Sequence, residues 1–236
     1  MKLFYILIYS AVIFSSCFDI KTGQAFQHIA PNAWRGVFIT DATTAERVPT
    51  LFDVKSDETG KPQKLIFYNG SRNLETDSLR FWGDTLFAYF GQSKTYLRLI
   101  YEVNLMEGKL FFENENEYPI VFQAQSGKFP RFPEVRRNPT ADVSGSWKAD
   151  YAQENIDSMQ NLQIDFQQKD NNLNGEIKIS TKTAYLTGCI QGNLIYLSGF
   201  DGEKIYFLSA IVQNDKSLAR GKLSINSQKY VFNANR

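Results

Sequence analysis

Along most of the chain, apolar and polar residues alternate with a period of two. Leu162-Gln163-Ile164-Asp165-Phe166-Gln167 and Glu176-Ile177-Lys178-Ile179-Ser180 are the clearest runs. Successive side chains of a strand point to opposite faces, so such runs predict half-buried strands with one face on a core. Turn dipeptides punctuate them at Asn69-Gly70, Asn174-Gly175, Gly192-Asn193 and Asp201-Gly202. These residues tolerate the positive φ of tight hairpins. No later segment combines a helical apolar period with caps. The pattern predicts an antiparallel all-β chain.

The first residues depart from this alternation. Met1-Lys2 is a short basic start, and Leu3 to Phe14 is a continuous apolar run. That run is shorter than the roughly 20 residues needed to span a bilayer but suits a secretory signal. Phe14-Ser15-Ser16-Cys17 follows: a large apolar residue, two small ones and a cysteine. This resembles a bacterial lipobox, with Phe14 where leucine is usual, and implies a signal peptide over 1–16 and a lipid anchor on Cys17. Residues 17–31 then form a lipid-anchored tether. Phe18 rather than aspartate follows the cysteine, which points to the outer membrane, facing the periplasm.

Comparison of the chain with itself shows an internal repeat. Trp34-Arg35 recurs 113 positions later as Trp147-Lys148, and Gly108-Lys109-Leu110 recurs at the same spacing as Gly221-Lys222-Leu223. Gly83-Asp84-Thr85-Leu86 resembles Gly192-Asn193-Leu194-Ile195 at 109, and Ile120-Val121-Phe122-Gln123-Ala124 resembles Tyr230-Val231-Phe232-Asn233-Ala234 at 110. Four anchors in one order predict two tandem, duplicated β-sandwich or barrel-like halves, over residues 32–125 and 144–236. The Pro-rich connector 126–143 contains Pro130, Pro133 and Pro139 with Arg131, Arg136 and Arg137. It reads as a solvated linker, because proline removes ladder donors.

Composition narrows the chemistry. Lys+Arg 26 against Asp+Glu 25 leaves a net charge of +1, so no global field attracts nucleic acid, and no nucleic-acid partner is expected. The only histidine is His28, which excludes a histidine triad or a multi-histidine metal site within one chain. With Cys17 acylated, Cys189 has no internal disulfide partner, and no Cys-x-x-Cys is present. Cys189 reads as a small buried hydrophobe. Glu113, Glu115 and Glu117 lack EF-hand spacing and read as a solvated hairpin tip. Gly145-Ser146-Trp147 resembles the Gly-x-Trp start of lipocalins, while Trp34 and Trp147 both read as core residues. Trp82 with Phe81, Phe87, Tyr89 and Phe90 reads as an aromatic cluster on a core face. No catalytic, cofactor-binding or metal residue is singled out.

Tyr185-Leu186-Thr187-Gly188 and Gly192 through Gly202 resemble the N-terminal β region of TlpA-type thiol–disulfide oxidoreductases. So do Phe67-Tyr68-Asn69-Gly70, Asp77-Ser78-Leu79, Trp34-Arg35-Gly36 and Phe129-Pro130-Arg131-Phe132. The resemblance implies an envelope location and a β architecture beside a redox partner. Family members continue into a thioredoxin domain with Cys-x-x-Cys, and Arg236 falls about where it would begin. The expectation is therefore a non-enzymatic envelope lipoprotein: a β-rich binding or interaction module, accessory to a thiol–disulfide partner. A lipocalin-like small-molecule carrier and a truncated oxidoreductase are the alternatives.

Overall fold

A computed structural model describes residues 28–41, 43–91, 94–114, 117–133, 137–151, 162–179 and 182–236. Cys17 and the signal segment lie outside the described residues. The chain is all-β in two barrel-like halves.

The first half contains β1 (Asn32–Asp41), β2 (Glu46–Ser56), β3 (Pro62–Asn69), β4 (Arg72–Glu75) and β5 (Ser78–Trp82). It continues through β6 (Thr85–Tyr89), β7 (Tyr96–Tyr101), β8 (Leu105–Phe111) and β9 (Ile120–Ser126). These pair in the order β4-β3-β2-β1-β9-β8-β7-β6-β5 and curl into a half-barrel. The second half contains β10 (Gly145–Tyr151), β11 (Leu162–Lys169), β12 (Asn172–Ile179) and β13 (Lys182–Gln191). With β14 (Leu194–Phe200), β15 (Ile205–Asn214), β16 (Ser217–Ile225) and β17 (Gln228–Asn235), it closes an eight-stranded antiparallel barrel. Closure removes the exposed edges that would otherwise invite aggregation.

Alternation decides which side chains fill each half. On β1, Trp34 and Phe38 point inward and Arg35 and Val37 outward. The repeat anchors occupy matching registers. Gly108 pairs with Phe122 as Gly221 pairs with Phe232, and Arg35 pairs with Gln125 as Lys148 pairs with Asn235. Trp34 and Trp147 are both buried, and each Nε1 donates to the carbonyl four residues earlier, Ala30 and Val143, at 2.8 Å. Burying an indole is tolerable when its N–H is satisfied, and this local bond satisfies it.

The halves differ at one strand. β13 pairs with both β12 and β14. Its counterpart is broken at Thr76-Asp77, so β4 pairs with β3 while β5 pairs with β6. Thr76 ties the break to β3: its backbone N–H donates to Leu65 O, and its Oγ1 accepts from Leu65 N–H, both at 3.0 Å.

The second half fills the resulting opening. Phe200, at the end of β14, is buried in the first core, with ring centroids 5.0 Å from Phe38, 5.4 Å from Phe67 and 5.0 Å from Phe90. Ile205 joins the same core, and the Gly202 backbone stands against Phe90 and Leu74. Asn69 holds this turn like a β-bridge. Its Nδ2 donates to Phe200 O at 2.7 Å, and its Oδ1 accepts from Phe200 N–H at 3.0 Å. Lys229 with Asp41 at 2.5 Å, Ser224 with Glu46 at 3.0 Å and Arg72 over the Tyr185 ring add contacts along the same seam.

Two sequence expectations about turns and strand faces need correction. Asn174-Gly175 is no turn; it lies within β12, and Asp170-Asn171 makes the β11–β12 turn. The glycine is there for space, because a Cβ at Gly175 would stand 2.7 Å from Leu197 Cδ1 in the barrel core. The aromatic cluster around Trp82 does not share one face. Phe90 is buried and Phe81 packs on the core, whereas Tyr89 lies outside with its ring tilted against Tyr96 at 5.5 Å, and Trp82 is 80% exposed at the β5–β6 turn. Strand alternation divides the aromatics, and Trp82 sits where the strand runs out.

Substituting Phe200→Ala should lower the unfolding free energy by about 3–5 kcal/mol, the usual cost of emptying a buried aromatic site. Urea denaturation measures this. The Trp34 environment should loosen with it, although the substitution lies in the second repeat; an unchanged Trp34 signal would contradict the shared core.

Candidate functional site

The connector is the main surprise of the seam. Arg131 is 7% exposed, not solvated. Its Nη1 donates to Pro49 O at 3.2 Å and to Ser198 Oγ at 3.1 Å, and its Nη2 donates to Tyr68 O at 2.5 Å. Ser198 in turn donates to Pro49 O at 2.5 Å. One guanidinium thus joins β2, β3 and β14 across both halves. Arg35 holds the connector from outside, donating to the carbonyls of Pro130 and Arg131 at 3.1 and 3.2 Å. Beyond it, Gln191 Nε2 donates to Pro133 O and Asn171 Nδ2 to Arg137 O, docking the connector on the barrel wall. The solvated-linker expectation therefore fails at Arg131, because three oxygens converge there to replace water around its charge. Arg137 is exposed, and Arg136 lies outside the described residues.

Among the described residues, Arg131 has no carboxylate within ion-pair distance. Burial, and then the charge of Arg35, lower its guanidinium to about 9. It still carries its charge at neutral pH. Carbonyl dipoles compensate a buried charge only in part.

Beside Arg131 the seam opens into a cleft of about 650 Å³. Its apolar wall is Leu51, Pro130 and Phe132, the last packed on Tyr196 and Phe207. Phe132 approaches the barrel closely because residue 188 is glycine; a Cβ there would stand 2.7 Å from the ring. The polar wall is the outer face of β12 and β13. Asn172 pairs with Cys189 and Asn174 with Thr187, and the Thr187 hydroxyl donates to Asn174 Oδ1 at 2.7 Å. Tyr68 closes the first-half side, its hydroxyl pushed up by burial and by the Asp53 carboxylate. The described lining holds amides, hydroxyls and one guanidinium but no carboxylate. A smaller cleft of about 350 Å³ adjoins across Phe132 and Gln191 and reaches Arg137.

Cys189 lines this cleft and is half-buried rather than enclosed. Burial pushes its thiol up, and a hydrogen bond from Gln191 at 3.4 Å opposes this only partly. A thiol held protonated is a poor nucleophile. Glu113 pairs with Lys94 at 2.9 Å, and Glu117 faces Asn226 across the seam, so these two carboxylates serve different contacts. Glu115 lies outside the described residues. His28 stands exposed at the first described position. Trp147, Phe166, Tyr206, Phe232 and aliphatic side chains pack in the barrel interior, and the cleft lies outside it.

Comparison with known proteins finds no matching family model, no matching curated protein and no matching solved structure.

The chemistry of the seam gives two expected outcomes. Because the folded thiol lies above its ordinary value, Cys189 alkylation by iodoacetamide at neutral pH should be slower than that of an unstructured cysteine peptide. Its rate should still be rising at pH values where the peptide has levelled. Arg131→Met should destabilise the chain by about 1–3 kcal/mol in urea denaturation, the cost of leaving buried acceptors without their donor.

Proposed function

We propose that the chain is an exported lipoprotein, anchored through Cys17, whose β region is a non-catalytic binding module. Its ligand site is the cleft between the halves, and its ligand is a small polar anion such as a carboxylate or phosphate ester. The observation that carries this reading is the buried Arg131, unpaired with any described carboxylate, in the wall of a cleft with no acidic lining. A fixed cation in a desolvated setting attracts an anion more strongly than a surface lysine does, and a guanidinium matches carboxylate or phosphate geometry. The cleft volume falls within the range of small-molecule sites, and its wall of apolar surface with a few convergent polar groups suits one.

The protonated Cys189 thiol supports a binding role over a redox one. The packed barrel interior favours the seam over a lipocalin-like lumen as the place for a ligand. The TlpA-type resemblance adds a thiol–disulfide protein as the partner this module would serve in the envelope.

Thermal unfolding of the full chain in phosphate or citrate, against chloride at matched ionic strength, tests the anion site. A bound anion should raise the melting temperature by about 2–4 °C per kcal/mol of linked binding energy. The rise should vanish in Arg131→Met and in Cys189→Trp, which places a bulky side chain in the cleft lining while keeping Arg131. Equal melting in all three salts would remove the anion reading. Mass spectrometry of the membrane-extracted chain tests the anchor: acyl mass on Cys17 is expected, and Cys17→Ser should release the protein from membranes.

A further inference from the structure

The two ends of the first half carry different surfaces. Contacts with the second half gather at one end, through Asp41, Glu46, Asn69, Phe90 and Glu117. The opposite end is where the chain enters. There Ile29 is buried, and Ala30 N–H donates to Val103 O in the β7–β8 turn at 2.8 Å. The β5–β6 turn stands beside it, Tyr101 N–H donating to Asp84 O at 3.3 Å, and Ser126 N–H reaches Asn104 O at 3.0 Å.

This entry end is apolar and open. Trp82 is 80% exposed, Ile100 59%, Val103 47%, Leu105 45% and Phe129, stacked on Gly127, 41%. Trp82 pairs with Thr85 and Thr85 with Ile100, so Trp82 and Ile100 share one outward row across neighbouring strands. Two residues further from the tip, the next outward row holds Arg80, Phe87, Arg98 and Lys109. Its three cations have no ion-pair partner among the described residues. Asp84 and Glu102 stand at the tip itself, and Glu107 continues the Trp82–Thr85–Ile100 row, so cation attraction is not the main force there.

The second repeat makes the contrast meaningful. At equivalent register positions Trp82 is replaced by Gln191, and Val103 by Asn214. That end is sealed by Arg236, which lies over the Trp147 ring and donates to the carbonyls of Asp142, Ser144 and Asp215. The tip row itself keeps apolar residues in both copies, with half-buried Ile211 and Leu194 at the positions of Ile100 and Thr85, so the two ends differ chiefly at Trp82 and Val103 against Gln191 and Asn214.

We infer that this end of the first half, with Trp82, Ile100, Val103 and Leu105 at its tip, is a membrane-contact surface that rests in the lipid headgroup region. The inference rests on the lipid-anchor reading. From Cys17 to His28 the chain spans eleven residue steps, which reach at most about 40 Å when fully extended. A tether of that reach lets the entry end, where the chain joins the fold, come to the bilayer. An amphipathic tryptophan at the rim, aliphatic side chains beside it and cations one row behind suit the passage from acyl chains to phosphates.

The test uses the full chain, purified with its lipid from a host membrane and reconstituted into phosphatidylethanolamine–phosphatidylglycerol vesicles with brominated acyl chains. Trp34 and Trp147 are buried, so contact quenching reads Trp82. The expected result is loss of the Trp82 share of emission relative to unbrominated vesicles. The loss should be absent in Trp82→Phe and smaller in the double variant Val103→Asp, Leu105→Asp. Anchored protein with equal emission in both vesicle types overturns the contact and leaves the anchor reading standing. If Cys17 carries no acyl mass, the anchor reading falls; quenching that survives in that chain upholds the lipid surface, and its absence overturns it. Dimerisation abolished by Val103→Asp would assign the face to a second copy and overturn the inference.

Discussion

The insertion of Phe200 into the first half is the contact on which the remaining architecture depends. Two repeats of one design differ at a single strand: β13 is continuous, and its counterpart breaks at Thr76-Asp77. An open half-barrel would expose part of an aromatic core, and the β14–β15 turn covers it with Phe200, Ile205 and the Gly202 backbone. Dispersion and burial supply the drive, and Asn69 fixes the register by bonding both backbone groups of Phe200. The first half is thus completed by the second, and the duplication yields one interlocked body rather than two beads on a linker.

That interlock has an electrostatic consequence. Seating the second half brings Pro49 O, Tyr68 O and Ser198 Oγ to one point, and Arg131 from the connector satisfies all three. A neutral donor would satisfy one or two of these acceptors at lower desolvation cost. The guanidinium reaches more of them, but its charge remains incompletely compensated, with Arg35 adding repulsion. Arg131 also contributes to the wall of a cleft lined by amides and hydroxyls, and the proposed anion site rests on this residual imbalance.

Much of the fold was legible because alternation and register are local properties. The repeat anchors mark structurally equivalent ladder pairs, as Gly108 with Phe122 and Gly221 with Phe232 show. What could not be read depends on partners distant in sequence. Phe200 looks like any inward residue of its own strand, yet its core belongs to Phe38, Phe67 and Phe90. Arg131 lies among prolines, a linker composition, and only the folded seam shows why it is buried. Asn174-Gly175 carries a turn signature, but the space demanded by Leu197 explains the glycine. Trp82 needed its row to be followed to the last pair before the turn, since a strand end escapes the burial that its period suggests.

Equivalence between the repeats also constrains how the exposed residues should be read. Scattered apolar residues on a surface need no explanation. Here the internal copy supplies the comparison. The same turn positions carry Gln191 and Asn214 in one repeat and Trp82 and Val103 in the other. Fold requirements alone do not account for Trp82 and Val103, since Gln191 and Asn214 close the same turns, whereas Ile100 has an apolar counterpart in Ile211. The distinguishing condition is position: one end receives the chain from its N-terminal segment, and the other lies on the far repeat, where Arg236 caps Trp147. The lining of the seam cleft includes none of Trp82, Ile100, Val103 and Leu105, so the proposed ligand site and the proposed membrane contact use separate surfaces of the same chain.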